Sequence, residues 1–209
     1  MKLTMALVIT GALIPRSVVT QTFTPSANPV SDTIRELASR ESKNLVASAE
    51  LMPADKYGYH PTDAQMTFGQ LLAHVVQTNI ALCSAISGTP GPLGPDELKK
   101  ISGTDPKDAL VAIEKKSFDY CTESLAKVVD TQLAEEVSLF GRRTGQSRAA
   151  TMIVIATDWA DHYSAAAAYL RLNGILPPTA RPGSHSAIGQ TGVTTTPADP
   201  LSRHSWGGR

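Results

Sequence analysis

The segment Thr157-Asp158-Trp159-Ala160-Asp161-His162-Tyr163 decides how the chain is read. It lies in a stretch where Met152, Ile155, Trp159, His162, Ala166 and Tyr169 alternate at spacings of three and four, the seam of a helix packed against other helices. Asp158 and His162 stand four residues apart, so they share one helix face, with Asp158 beside the seam and His162 on it. A carboxylate withdrawn from water is normally paired, hydrogen-bonded or bound to metal, because an uncompensated buried charge is costly. The pair therefore calls for a chemical partner, and a metal ion inside a helix bundle is the first candidate.

Around this segment the helix runs from about Ser147 to Asn173, stopped by Gly174 and Pro177-Pro178. Three more helices precede it. One starts near Val30 or Ser31, places Ile34, Leu37, Leu45, Val46 and Leu51 at helical spacing, and stops before Pro53. A second opens with the capping-box pair Thr67 and Gln70, carries Leu71, Leu72, Val75, Ile80 and Leu82, and reaches about Ser87. A third begins at Asp105-Pro106, with proline at its first position, and continues to about Val129. Between the second and third, Gly88-Thr-Pro-Gly-Pro-Leu-Gly-Pro95 must be loop, with one helical turn following from Glu97 to Ile101. Asp130 to Gly145 reads as a connector rather than a strand. Four long helices without a convincing strand imply an all-α four-helix bundle.

The remaining segments define the organisation. Residues 1–21 hold a single lysine and then an apolar run from Met5 to Ile14, too short to span a bilayer and of the kind found in secretory signal peptides. This implies export, to a periplasm or beyond the cell, or an uncleaved tethered form. Residues 22–29 read as a linker, residues 30–178 as the bundle, and residues 179–209, rich in Gly, Ser, Thr and Pro, as a disordered tail. With 209 residues, 42% of them hydrophobic, the chain can bury one sizeable core. Its 19 basic and 19 acidic residues balance, which argues against a nucleic-acid partner, since phosphate neutralisation requires a basic face.

Bundle cores gather ligands from several helices onto one axis. His74, in the first half of the second helix, would join Asp158 and His162 to give two nitrogens and one oxygen. Three protein ligands leave positions open for water or substrate, the pattern of a catalytic rather than a structural site. Such a set suits Zn(II) first, with Ni(II), Co(II), Mn(II) or Fe(II) as alternatives. Spacing alone leaves a second reading: an Asp158–His162 hydrogen bond across one turn and a satisfied core histidine at position 74. The chain has two cysteines, Cys83 and Cys121. In an oxidising compartment they can close a disulfide; otherwise they pack as small apolar thiols.

The string Tyr169-Leu-Arg-Leu-Asn-Gly-Ile-Leu-Pro-Pro178, preceded by Asp161-His162-Tyr163, resembles the end of the last helix in DinB-like proteins. Met52-Pro-Ala-Asp-Lys-Tyr-Gly-Tyr-His-Pro-Thr62 and Met66-Thr-Phe-Gly-Gln-Leu-Leu-Ala-His74 resemble that family's first loop and second helix. Cys83 and Cys121 resemble the pair of an exported subgroup. The resemblance covers about residues 28 to 178 and implies a four-helix bundle with two long antiparallel pairs and a divalent metal on three histidines. Carried over, His74 and His162 are ligands, and Asp158 stands where the third histidine is expected. Tyr59, His60 and Trp159 are candidates to line the pocket. Relatives of this kind resemble metal-dependent transferases using small thiols, thiol-dependent isomerases and hydrolases. For an exported chain a hydrolytic reaction on a small molecule is the more consistent expectation, and a non-enzymatic metal or ligand-binding protein, such as an envelope stress factor, is the alternative. A homodimer through an exposed helix face is a further expectation.

Overall fold

A computed structural model describes residues 25–182. The leader and most of the tail therefore lie outside the described residues. Four long helices form the fold: α1 (Pro29–Leu51), α2 (Phe68–Ser87), α4 (Lys107–Ala126) and α5 (Arg148–Leu172). A single turn, α3 (Pro95–Leu98), interrupts the connection between α2 and α4, and a hairpin of β1 (Glu136–Leu139) and β2 (Arg142–Ser147) precedes α5. No helix among the described residues is long and apolar enough to cross a membrane.

Helix α1 packs on α4 and α5, and α2 packs on the same two, so α1 and α2 lie on one diagonal of the bundle. Directions follow from contacts between chain-distant residues. The Asp130 carboxylate, just past α4, accepts from the Val30 and Ser31 amides at the start of α1. At the other end, the Lys107 ammonium at the start of α4 donates to the Glu50 and Met52 carbonyls. Helices α1 and α4 are thus antiparallel, and each side chain satisfies backbone groups that a helix end leaves unpaired. Asn79 meets Ser117, and Cys83 meets Cys121, so α2 and α4 run parallel. Thr78 meets Asp158 while Tyr169 reaches Met66, so α2 and α5 are antiparallel.

A parallel α2–α4 pair requires the chain to return along the whole bundle, which is the work of residues 88–106. This explains the glycines and prolines there. The returning strand crosses the start of α2 where Gly69 faces Gly103: a Cβ on Gly69 would collide with the Gly103 carbonyl, and one on Gly103 with the Gln70 backbone. Two glycines let backbone meet backbone. The Cys83–Cys121 disulfide, with Cα atoms 5.2 Å apart, ties α2 to α4.

Two boundaries differ from the sequence reading. Pro106 caps α4 instead of entering it, and the turn after Gly94 spans Pro95–Leu98 rather than Glu97 to Ile101. The connector is also not featureless, since residues 136–147 form an antiparallel hairpin. Its turn is Phe140-Gly141, both with positive φ (50° and 76°), where Asn or Asp normally precedes Gly. Strand β2 is polar and almost wholly exposed, and Val137 is the one buried residue of the two strands, so no alternating pattern marked it.

The core is continuous across all four helices, built on Leu45, Phe68, Leu72, Leu110, Leu125, Met152, Trp159 and Leu170. Within it, Glu114 of α4 is 0% exposed, and neither carboxyl oxygen has a hydrogen-bond partner among the described residues. Burial is the main cause that pushes this group up from its ordinary 4.5 to about 8, with the nearby Glu50 carboxylate adding to it and Lys115 opposing.

Two predictions follow from the core. Replacing both cysteines by alanine should cost up to about 4 kcal/mol, from the 38-residue separation they span, read as a lower urea midpoint. Folding raises the Glu114 value, so the folded state holds the proton more tightly than the unfolded chain. The stability this contributes is complete below about pH 4.5 and is lost as pH rises toward 8. Glu114→Gln should flatten the decline in urea midpoint between pH 5 and pH 8.5; an unchanged slope would show that Glu114 is not its source.

Candidate metal centre

The antiparallel register of α2 and α5 brings His74, Asp158 and His162 together, with one potential ligand atom from each lying within 4.8 Å of the others. Their side chains are 36%, 20% and 13% exposed, so the cluster sits in the wall of the bundle, open to solvent on one side. The His74 and His162 rings stack with centroids 4.8 Å apart and planes 22° from parallel. Asp158 Oδ1 stands 3.9 Å from His74 Nε2 and 3.5 Å from His162 Nδ1. Neither distance makes a good hydrogen bond. The Asp158–His162 bond across one turn does form, but through the backbone: His162 Nδ1 lies 2.7 Å from the Asp158 carbonyl. A carbonyl only accepts, so Nδ1 carries the proton and the neutral ring keeps its bare nitrogen at Nε2. The same backbone bond holds the ring in place, as carbonyl partners do for metal-bound histidines.

His74 is shifted below the usual histidine range, first by burial and then by the neighbouring His162, with Asp158 pulling the other way. It is therefore neutral at neutral pH, the form that binds metal. Oδ1 of Asp158 accepts no hydrogen bond among the described residues, although two ring nitrogens are close. The donor set is thus two imidazoles and one oxygen with nothing between them satisfying all three. Ligands about 2.0–2.2 Å from one ion lie no more than about 4.4 Å apart, so small side-chain adjustments would complete the shell. The residues fit a divalent cation.

Beside His74 is an open cavity of about 310 Å³, lined by Met66, Gln70, Ala73, Gln77, Ile101 and Gly103. The returning segment that crosses at Gly103 supplies its far wall. Gln77 is held by its Nε2, which donates to the Leu98 and Ile101 carbonyls and fixes that wall to α2. None of these lining residues was expected at the site from the sequence; only the folded crossover brings Ile101 and Gly103 to α2.

The three expected pocket residues fall elsewhere. Trp159 is fully buried, donates from Nε1 to Asn79 Oδ1 at 2.6 Å, and packs near Phe118. One residue after Asp158 turns its side chain by about 100°, from the site into the core. Tyr59 packs edge-on against Tyr169, and His60 Nδ1 bonds to the Thr62 carbonyl in its own loop; neither lines the cavity beside His74. Asp161 is exposed.

The family model of the DinB superfamily matches residues 38–165. The chain belongs to the DinB superfamily. Among solved structures it is similar to a DinB-like protein from Bacillus cereus ATCC 10987, with 14% identity, 70% of this chain and 95% of that one covered, and a TM-score of 0.56. A DinB-like protein from Bacillus subtilis aligns with 20% identity over 68% of this chain and 92% of that one, TM-score 0.52. A mycothiol-dependent maleylpyruvate isomerase aligns with 21% identity and a TM-score of 0.51 over 65% of this chain. The chain spans 60% of that isomerase's length. At these identities the likeness is one of fold. No functionally curated protein matches the chain.

Trp159→Phe should keep an aromatic ring, leave Asn79 Oδ1 without its donor and open a small cavity where the second ring of the indole packed. The expected loss is about 1–3 kcal/mol in urea unfolding; no change would mean that the bond does not hold α5 against α2.

Proposed function

We propose that the protein is a divalent-metal-binding DinB-family protein whose cation, held by His74, Asp158 and His162, serves a hydrolase or transferase reaction on a small molecule. The observation that carries this is the convergence of two imidazoles and a carboxylate oxygen that is without a hydrogen bond among the described residues, beside an open cavity that His74 lines. When bound, the ion would supply Lewis acidity at coordination positions that the three residues leave free. The protein's own contribution is orientation. The backbone bond to His162 fixes the tautomer, burial keeps His74 neutral, and the segment around Gly103 limits which molecules reach the ion. Zinc is the first expectation, with nickel, manganese or iron as alternatives, since the donor types suit all four.

One observation favours a second reading, binding without turnover. A general acid or base must come within hydrogen-bond reach of the reacting group. The cavity beside His74 is lined by Gln70 and Gln77 but by no further carboxylate, imidazole or tyrosine. Export, expected from the first residues, remains part of the proposal and would favour a reaction that does not depend on a cytosolic thiol.

The test is the metal content of purified protein by plasma mass spectrometry, beside His162→Ala. About one divalent ion per chain, lost in the variant, is expected for an open three-ligand site. Ester hydrolysis and thiol-transfer screens on the loaded protein then separate enzyme from binder. Absence of any ion after incubation with Zn(II), Ni(II), Mn(II) and Fe(II) would remove the metal reading altogether.

A further inference from the structure

Thr78 lies one turn beyond His74 on α2, and its Oγ1 is 3.1 Å from Asp158 Oδ2. The same oxygen is 3.1 Å from the carbonyls of His74 and Val75. A hydroxyl has one proton to donate, so the three acceptors compete. The two carbonyls already accept backbone N–H groups within α2, as the helix requires. A carboxylate is the stronger acceptor, because a hydrogen bond to an ionised group is roughly twice as strong as a neutral one. The proton therefore goes to Asp158, and Thr78 in return has a side chain stiff at χ1 that aims the hydroxyl.

This bond makes the two carboxylate oxygens unequal. Oδ2 is occupied by Thr78, while Oδ1 stands beside His74 Nε2 and His162 Nδ1 and accepts no hydrogen bond among the described residues. Resting on the metal reading above, we propose that Thr78 is a positioning residue whose hydroxyl holds Asp158 Oδ2, so that Oδ1 alone is presented to the divalent cation. The role exists only because residue 158 is a carboxylate. An aspartate is shorter than a histidine and can rotate to offer either oxygen, or both, so an anchor on one of them restores the single fixed direction that an imidazole has by construction. Such an outer partner commonly sets affinity without touching the ion.

The experiment uses the full chain, stripped by chelation, titrated separately with Zn(II) and Mn(II) by calorimetry. Thr78→Val keeps the branched shape and removes the donor; Thr78→Ser keeps the donor. The valine variant should bind each ion about 10–100-fold more weakly, the usual effect of losing a partner behind a ligand, with the serine variant near wild type. The visible spectrum of the Co(II)-loaded protein gives a second readout: it should change in Thr78→Val and not in Thr78→Ser. Thermal midpoints of the metal-free proteins separate a folding defect from a site defect. Equal affinity and an unchanged cobalt spectrum in Thr78→Val would overturn the role of Thr78 and leave the metal site standing. Failure of the unsubstituted protein to bind either ion would remove both.

Discussion

The hydrogen bond from Trp159 Nε1 to Asn79 Oδ1, at 2.6 Å, sets the register of α5 against α2. Both groups are fully buried, so neither can exchange its partner for water, and sliding one helix by a turn would leave both unsatisfied. Asn79 also donates to Ser117 Oγ, and its carbonyl lies 3.4 Å from Cys121 Sγ, so the same residue joins α2 to α4. Three helices are indexed by one amide. The site follows directly, because Thr78 and Asp158 are the residues preceding Asn79 and Trp159, and in the antiparallel pair His74, one turn before Thr78, comes level with His162, one turn after Asp158. The locked pair turns into the core while its neighbours face each other across the seam at the surface.

The parallel pairing of α2 with α4 has a second consequence. It forces residues 88–106 to retrace the bundle, and the retracing segment ends by walling the cavity beside His74. Without the two facing glycines at 69 and 103 the segment would stand off from α2, and the cavity beside His74 would lose that wall. Lys107, immediately after this crossing, donates to the carbonyls at the end of α1. The crossover is thus tied at both α2 and α1, which makes the cavity wall a consequence of topology rather than of a loop's own preferences.

What the sequence made legible follows from what leaves a local trace. The α2 start was readable because Thr67 and Gln70 form both bonds of a capping box, and α5 because its seam and its Gly174 stop are local patterns. Asp158 and His162 share a helix, so their spacing showed them on one face. His74 is on another helix, so the bundle reading could suggest it as a third ligand and the family resemblance could support it, but no spacing set it opposite the other two; the fold did that. Trp159 misled because its neighbours in sequence are site residues, while the helix rotates its side chain away. Thr78 had no signal at all: threonine bonding back to a helical carbonyl is ordinary, and its carboxylate acceptor is 80 residues away. The hairpin stayed hidden because Phe140 occupies a position where a turn-former was expected and its strands bury almost nothing.

The carboxylate at position 158 changes the electrostatics as well as the geometry. Three neutral imidazoles would leave the full double charge of a divalent ion on the site, whereas two imidazoles and an aspartate leave a single net charge. The ion would be held more firmly against loss, because ionic attraction adds to coordination, but it would polarise a bound molecule less. The partly exposed position of the cluster moderates this, since water screens charge more at a surface than in a core. Thr78 acts in the same direction: by donating to Oδ2 it draws electron density away from the oxygen that remains. In this bundle wall, then, the aspartate's extra charge would be shared between a bound ion and a hydroxyl on α2, and the acidity left at the open positions would reflect that division.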